Sequence, residues 1–239
     1  MDGPFEVVAR FGDGEARGGV SEFPAGRLRG CLPVRRAGVY QRQRHMPGLW
    51  FSSAAGCLLE YESLLERDWM LLLDFDRGVQ GVREQPLRLC YRRGGRRASH
   101  VPDLLVWRAG GVELCDVKSA ERVGEPGFQA QVRAMELACA EAGWGYRVLC
   151  EPDRQVLVNV RWLAGFRECP VDPDGERERM LSVLAAGPAL ISELLVGACE
   201  PALARPVLMH LLWTGRVLVD VGEPLGDESR VWMAAGSCL

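Results

Sequence analysis

The sequence predicts an α/β protein, a mixed sheet with helices packed on it, followed by a smaller part of three helices and a hairpin. Three observations carry that expectation. Apolar residues recur at helical spacing between Glu62 and Phe75 and again between Phe128 and Ala142. Between these helices lie three short strand-like runs, set apart by the turns Arg93-Gly94-Gly95-Arg96 and Ala109-Gly110-Gly111. Past Pro170-Val171-Asp172-Pro173-Asp174-Gly175, which reads as a linker, both the charge balance and the apolar pattern change.

Taken in chain order, residues 1–45 are rich in Gly, Pro and Arg, with strand-like pieces such as Phe5-Glu6-Val7-Val8-Ala9. They are expected to form an extension packed on the main domain. Leu49–Ser52 and Cys57–Tyr61 bracket Ala55-Gly56 as a hairpin. In the first helix Leu65, Trp69, Leu72 and Leu73 form the buried stripe, with Glu66 beside it and Glu62 one turn earlier. Gln85–Tyr91 alternates apolar and polar residues. Val101–Trp107 is a second strand, which Pro102 confines to an edge or a bulge, and Val112–Lys118 is the third. The second helix, with Phe128, Val132, Met135 and Cys139 at its period, stops at Gly143, and Tyr146–Cys150 is a fourth strand. Beyond the linker come helices at Arg177–Ala185, Ile191–Val196 and Pro201–Trp213, then strands at Val217–Asp220 and Arg230–Met233. Three helices and a hairpin in that order make a winged helix. The expected parts are therefore the extension at 1–45, the mixed-sheet domain at 46–169 and the winged helix at 174–239.

Composition bounds the function classes. The 239 residues are 48% hydrophobic and 26% charged, the profile of a globular protein. No apolar run is long enough to span a bilayer, and the first residues lack the basic-then-apolar run of a signal peptide. The nine cysteines are odd in number and scattered, with no Cys-x-x-Cys pair. A cytoplasmic protein with unpaired thiols and no membrane partner is expected. The net charge of −3 does not advertise nucleic-acid binding. The charge is uneven, however. From Asp172 onward five arginines face ten acids, whereas the preceding residues hold 24 basic and 22 acidic side chains.

One residue stands apart. Of 29 basic residues 28 are arginine, and Lys118 is the single lysine. Under an arginine-favouring bias, such as a GC-rich genome imposes, a surviving lysine marks a place where a planar guanidinium cannot replace a compact ammonium. Asp116 lies two residues before it, on the same face of the strand. Asp103 starts the preceding strand, and the hairpin would bring it alongside. Glu66, on the first helix, can reach the same place. Carboxylates that hold Mg²⁺, with an ammonium nearby, are what phosphodiester hydrolysis needs: an activated water and neutralised charge on phosphorus. An acid two residues from a given lysine is common by chance; the order of all four groups along a helix–strand–strand–strand–helix pattern is the stronger signal.

Tyr61-Glu62-Ser63-Leu64-Leu65-Glu66-Arg67-Asp68, Arg83-Glu84-Gln85-Pro86, His100-Val101-Pro102-Asp103 and Asp116-Val117-Lys118 together resemble TnsA-like heteromeric transposase endonuclease subunits, nucleases of the PD-(D/E)xK class. The resemblance covers roughly Arg44 to Trp162, and the C-terminal part resembles that family's winged-helix domain. It implies a restriction-endonuclease-like fold and Mg²⁺ as cofactor, with Mn²⁺ as a substitute. The implied catalytic set is Glu66, Asp103, Asp116 and Lys118, with Glu66, Asp103, Asp116 and the Val117 carbonyl as metal ligands. It further implies nicking of double-stranded DNA at the 5′ ends of a transposon, beside a DDE transposase of the TnsB type and under an AAA+ ATPase of the TnsC type. A stand-alone restriction or repair nuclease, or an inactive binding module on the same fold, are the alternatives.

Other residues carry weaker expectations. Arg92, Arg93, Arg96 and Arg97 crowd a hairpin tip where phosphate binding would be natural. Arg42 and Arg44 are further basic candidates. Glu62 competes with Glu66, and Glu84-Gln85 either orients the site or starts a strand. His45, His100 and His210 are too dispersed for a metal site, and His100 is read as structural although it could lie near Asp103. The third helix of the winged helix offers only Arg205 and His210 as DNA-reading groups, and its wing carries Glu223, Asp227 and Glu228, so a protein-docking role is expected there.

Overall fold

The computed structural model describes residues 4–35, 46–172 and 174–234; Arg42, Arg44 and His45 lie outside the described residues. The chain divides into two compact units, Met1–Glu151 and Pro152–Leu239. Both mix helices and sheets, as the α/β expectation requires. The division falls before the Pro170–Gly175 stretch.

In the first unit the order is β1 (Glu6–Phe11), β2 (Gly14–Gly19), α1 (Ala25–Leu28), β3 (Gly48–Ser52), β4 (Cys57–Tyr61), α2 (Leu64–Phe75), β5 (Gly81–Glu84), β6 (Leu87–Arg93), β7 (Arg96–His100), β8 (Leu104–Arg108), β9 (Gly111–Val117), α3 (Ala120–Val123), α4 (Pro126–Ala142) and β10 (Gly145–Leu149). Two four-stranded sheets result. One runs β2-β1-β6-β7 and is antiparallel throughout; the other runs β10-β9-β8-β5, with β10 parallel to β9. The N-terminal hairpin is therefore no appendage. Val7 pairs with Leu89 and Ala9 with Leu87, so β1 completes the sheet that β6 and β7 begin.

Of the second strand expected from the sequence, Val101–Trp107, only the part from Leu104 is strand, in β8; a separate strand of the other sheet, β7, ends just before Val101. His100 ends β7 opposite Leu89, and Leu104 starts β8 opposite Glu84. The paired strands 81–93 and 96–108 thus cross together from one sheet to the other. Each carries a proline at the crossing, Pro86 and Pro102, which cannot donate to a ladder. Between the two registers the β5–β6 strand holds one residue more than its partner, as in a β-bulge. Gln85 takes up the excess with φ 42°, the only positive φ outside glycine among the described residues. Its amide still donates to the Asp103 carbonyl, at 2.8 Å.

Packing explains the apolar runs. Leu105, Val112 and Leu114 face α4 through Ala134, Met135 and Ala138, in a core shared with Val7, Leu87 and Leu89 of the first sheet. The alternate residues Leu104, Val106 and Cys115 face α2 and the β3–β4 hairpin through Met70, Leu73 and Leu59. A sheet covered on both faces needs apolar residues at every position, hence the unbroken Leu104-Leu105-Val106. Each such buried leucine contributes about 2 kcal/mol. Helix α4 ends at Gly143, which takes the left-handed cap at φ 71°.

The second unit contains α5 (Arg154–Leu163), α6 (Glu176–Ala185), β11 (Ala189–Leu190), α7 (Ile191–Val196), α8 (Pro201–Trp213), β12 (Val217–Val219) and β13 (Arg230–Met233). The strands form a small antiparallel sheet in the order β11-β13-β12. Helix α5 falls inside the span 46–169 expected for the first domain, yet it belongs here. Its buried Asn159 donates to the carbonyls of Val221 (2.9 Å) and Glu223 (2.7 Å), beyond β12. The 3₁₀ turn that follows it is held by His210 of α8, whose Nδ1 lies 2.8 Å from the Phe166 carbonyl. No helix among the described residues is long and apolar enough to cross a membrane.

Candidate active site

The break between sheets leaves Val101-Pro102-Asp103 outside both ladders, next to the end of β9. One further step along the Leu104↔Cys115 register would set Asp103 across from Asp116. The contact made is with the next residue: the Val117 N–H donates to Asp103 Oδ2 at 2.7 Å. Helix α2 begins at the same end. Glu66, Asp103, Asp116, Val117 and Lys118 consequently line one cavity of about 590 Å³. The four arginines of the β6–β7 tip, Arg92, Arg93, Arg96 and Arg97, do not line it.

Glu66 sits in the first turn of α2, where Ser63 is the N-cap. Ser63 Oγ accepts the Glu66 N–H at 3.2 Å, while the Glu66 carboxylate accepts the Ser63 hydroxyl at 2.9 Å and the Glu62 N–H at 2.8 Å. This Ser-x-x-Glu arrangement is close to a capping box, and it fixes the rotamer that brings Glu66 to the cavity. Burial raises its pKa, partly opposed by these hydrogen bonds. Its rival Glu62 also lines the cavity, but its carboxylate is already engaged, accepting Gln85 Nε2 at 2.8 Å and Arg35 at 3.0 Å.

Asp103 is strongly perturbed. Burial holds its carboxyl well above the usual range, the charges of Glu66 and Asp116 push it further, and the Val117 N–H only partly compensates. The charges of Glu66 and Asp116 both oppose the ionisation of Asp103. Such a cluster is stabilised by a positive charge.

Asp116, 1% exposed, is oriented by three donors that sequence reasoning assigned elsewhere or overlooked. His100 Nε2 lies 2.7 Å from Oδ1; Oδ2 accepts Tyr146 Oη at 2.7 Å and Gln131 Nε2 at 3.2 Å. His100 is thus part of the site, not a bystander. Gln131 had a legible signal, since it is a polar residue one turn after Phe128 on the face of α4 that continues through Met135 and Ala138. Tyr146 had none, because an aromatic residue in a strand reads as core.

Lys118 follows β9, its N–H bonded to the Leu149 carbonyl at 2.9 Å. Its Nζ lies 5.0 Å from the centre of the Phe128 ring, a cation–π position. The nearest carboxylate, Glu125, is 4.0 Å away and already bonded to Arg122 at 2.8 Å. The ammonium lines the cavity with Glu125, shared with Arg122, as its long-range ion-pair partner. Arg122 lines the cavity as well.

The residues can be tested for a divalent cation by their donor chemistry. All the acids offer hard oxygens, which suit Mg²⁺. An ionised carboxylate has about four acceptor positions; Asp116 uses three, Glu66 two and Asp103 one, so each retains capacity. Among the described residues no three His, Cys, Asp or Glu groups form a ready-made cage. Mg²⁺ does not require one, since it typically keeps several waters and takes one or two carboxylates. The donor set fits a divalent cation, and Asp103 and Asp116 are the two carboxylates that could hold it. No protein-family model matches the chain, and no curated protein matches its sequence.

Proposed function

We propose that the first unit is a Mg²⁺-dependent endodeoxyribonuclease with a restriction-endonuclease-like sheet, and that the chain is a TnsA-like endonuclease subunit of a heteromeric transposase. The carrying observation is the convergence of Glu66, Asp103, Asp116 and Lys118, from α2, the sheet break and β9, on one cavity. Asp103 and Asp116, with Glu66 and the Val117 carbonyl, would hold the cation. Bound there, Mg²⁺ (or Mn²⁺) would neutralise phosphate charge and make a water more acidic. His100, Gln131 and Tyr146 keep the Asp116 carboxylate oriented. Lys118, whose Glu125 partner at 4.0 Å is shared with Arg122, donates to the scissile phosphate or to the attacking water. The Phe128 ring, 5.0 Å from Nζ, helps to hold the ammonium in place.

The second unit fits a winged helix, with α6, α7 and α8 followed by the β12–β13 wing, in a protein-docking role. Arg205, the arginine of its third helix, is paired with Asp227 of the wing at 2.8 Å, so it is committed within the unit. In the cell the partners would be a DDE transposase of the TnsB type and an AAA+ ATPase of the TnsC type, with transposon ends as substrate. The test is strand nicking on a denaturing gel, with and without the transposase. Mg²⁺-dependent 5′-end nicks that vanish in Asp103→Asn and require the transposase support the reading; efficient cutting of plain duplex by the chain alone would favour a stand-alone nuclease. An inactive binding module has one observation in its favour, the three donors already on Asp116. Absence of any Mg²⁺ effect on melting would select it.

A further inference from the structure

Strand register separates the arginines of the first unit into two groups. On β6, Leu87, Leu89 and Tyr91 are buried, and Arg88 and Arg92 point the opposite way. Arg92 pairs with Arg97 on β7, while Val8 of β1 pairs on one side with Arg88 and on the other with Arg17 of β2. Residues paired across strands share a face. Arg17, Arg88, Arg92 and Arg97 therefore stand together on the outer face of the β2-β1-β6-β7 sheet, around a concavity of about 750 Å³. All four are exposed. The one carboxylate in that concavity is Glu6, 3.7 Å from Arg17. Among the described residues no acidic side chain pairs with Arg88, Arg92 or Arg97 within salt-bridge distance.

This arrangement is unfavourable in isolation. Two successive cross-strand pairs, Arg92↔Arg97 and Arg93↔Arg96, set like charges directly opposite each other, which costs stability. A polyanion would reverse that cost. The dimensions suit an extended one. Arg17 and Arg88 are two strand spacings apart, about 10 Å, and Arg88 and Arg92 are about 13 Å apart along the strand. A duplex carries roughly eight phosphate charges over 13 Å of its axis.

We propose that the outer face of the β2-β1-β6-β7 sheet, through Arg17, Arg88, Arg92 and Arg97, is a binding site for the phosphate backbone of duplex DNA. The inference rests on the reading of the chain as a DNA-cutting enzyme. It gives the N-terminal hairpin a function and narrows the arginines of the β6–β7 tip to two. Arg93 and Arg96 have the other parity and do not line the concavity.

The test is fluorescence anisotropy of a labelled random-sequence duplex with the full chain in EDTA, so that binding is measured without cleavage, across a salt series. Arg92→Gln/Arg97→Gln should flatten the slope of log affinity against log salt by about 1.8, or 0.9 per phosphate contact, and weaken binding at least tenfold in about 0.1 M salt. Arg17→Gln and Arg88→Gln should each flatten it by about 0.9. Arg93→Gln/Arg96→Gln removes the same charge from the same hairpin and should leave the slope nearly unchanged, and Arg92→Lys/Arg97→Lys should restore it. Equal losses from the two Gln pairs, or no change from either, would overturn the site; tighter binding of double-stranded RNA would overturn its assignment to DNA. Failure here leaves the Mg²⁺ response of Asp103 untouched, and failure of the nuclease reading leaves this metal-free binding untouched.

Discussion

Replacing Asp103 by Asn tests the centre of the argument, because it separates a metal-holding carboxylate from a structural one. An amide keeps an oxygen for the Val117 N–H, now 2.7 Å from Asp103 Oδ2, and removes the charge that burial, Glu66 and Asp116 all oppose. The sign follows from linkage. The Asp103 carboxyl has a raised folded pKa, so its contribution to stability is fully present below the unfolded value, near 3.9, and is lost as pH rises through the folded value. Metal-free Asp103→Asn should therefore melt above metal-free wild type at pH 7, and the difference should shrink toward pH 4. Mg²⁺ reverses the order. At about a hundred times its dissociation constant a ligand adds about 2.7 kcal/mol, which in a unit of this size raises Tm by about 5–10 °C. Wild type should show that rise and Asp103→Asn should not. The assay is thermal melting by near-ultraviolet circular dichroism, in EDTA and in Mg²⁺. A variant that keeps the full Mg²⁺ response, or that melts below wild type in EDTA, would refute the assignment.

Lys118→Arg preserves charge but lengthens the side chain and fixes its donors in a plane; nicking in the assembled complex should fall a hundredfold or more, about 3 kcal/mol of transition-state stabilisation, and near-wild-type nicking would end the catalytic role. Tyr146→Phe removes one of three donors to Asp116 and should weaken Mg²⁺ binding roughly tenfold by calorimetry with the fold intact; an unchanged affinity would show that Asp116 is held without it. A chain cut after Glu151 should remain folded, whereas one cut after Asp172 exposes Val160 and Leu163 of α5 and should bind a hydrophobic dye; the opposite ranking would contradict the division between units.

Much of this organisation was legible in the sequence, and what was missed has physical reasons. Ser63 and Glu66 announce the start of α2 by their capping spacing, and Gly143 announces the end of α4. The lone Lys118 marks the end of β9 from the sequence alone. The sheet break was not legible as such. Pro102 suggests an edge or a bulge within a single strand, because its lack of an N–H says where a ladder stops but not that the chain resumes in another sheet. The partners of β1 were hidden for a similar reason, since pairing with β6, about eighty residues away, leaves no local trace. The place of α5 was hidden too, because Asn159 declares a need for acceptors without naming Val221 and Glu223.

The same break offers the last test, since it requires strained backbone beside the acids. Gln85 is non-glycine at φ 42°, a conformation that costs an L-residue roughly 1–2 kcal/mol. Its side-chain Oε1 is buried without a protein partner, while its Nε2 holds Glu62 at 2.8 Å and its carbonyl accepts the Val34 N–H at 2.9 Å. A residue kept at such cost is holding something in place; here its side chain engages Glu62, a further acid lining the same cavity as Glu66 and Asp103. Two variants separate strain from the hydrogen bond. Gln85→Ala loses the Glu62 contact and keeps the strain, whereas Gln85→Gly loses the contact and relieves it. The Gly variant should therefore be the more stable of the two by about 1 kcal/mol in urea unfolding, and both should free Glu62 to compete for the cation and alter Mg²⁺ affinity. An Ala variant as stable as the Gly variant would mean that the backbone at Gln85 is unstrained, and the link between the sheet crossing and the placement of the acids would fail.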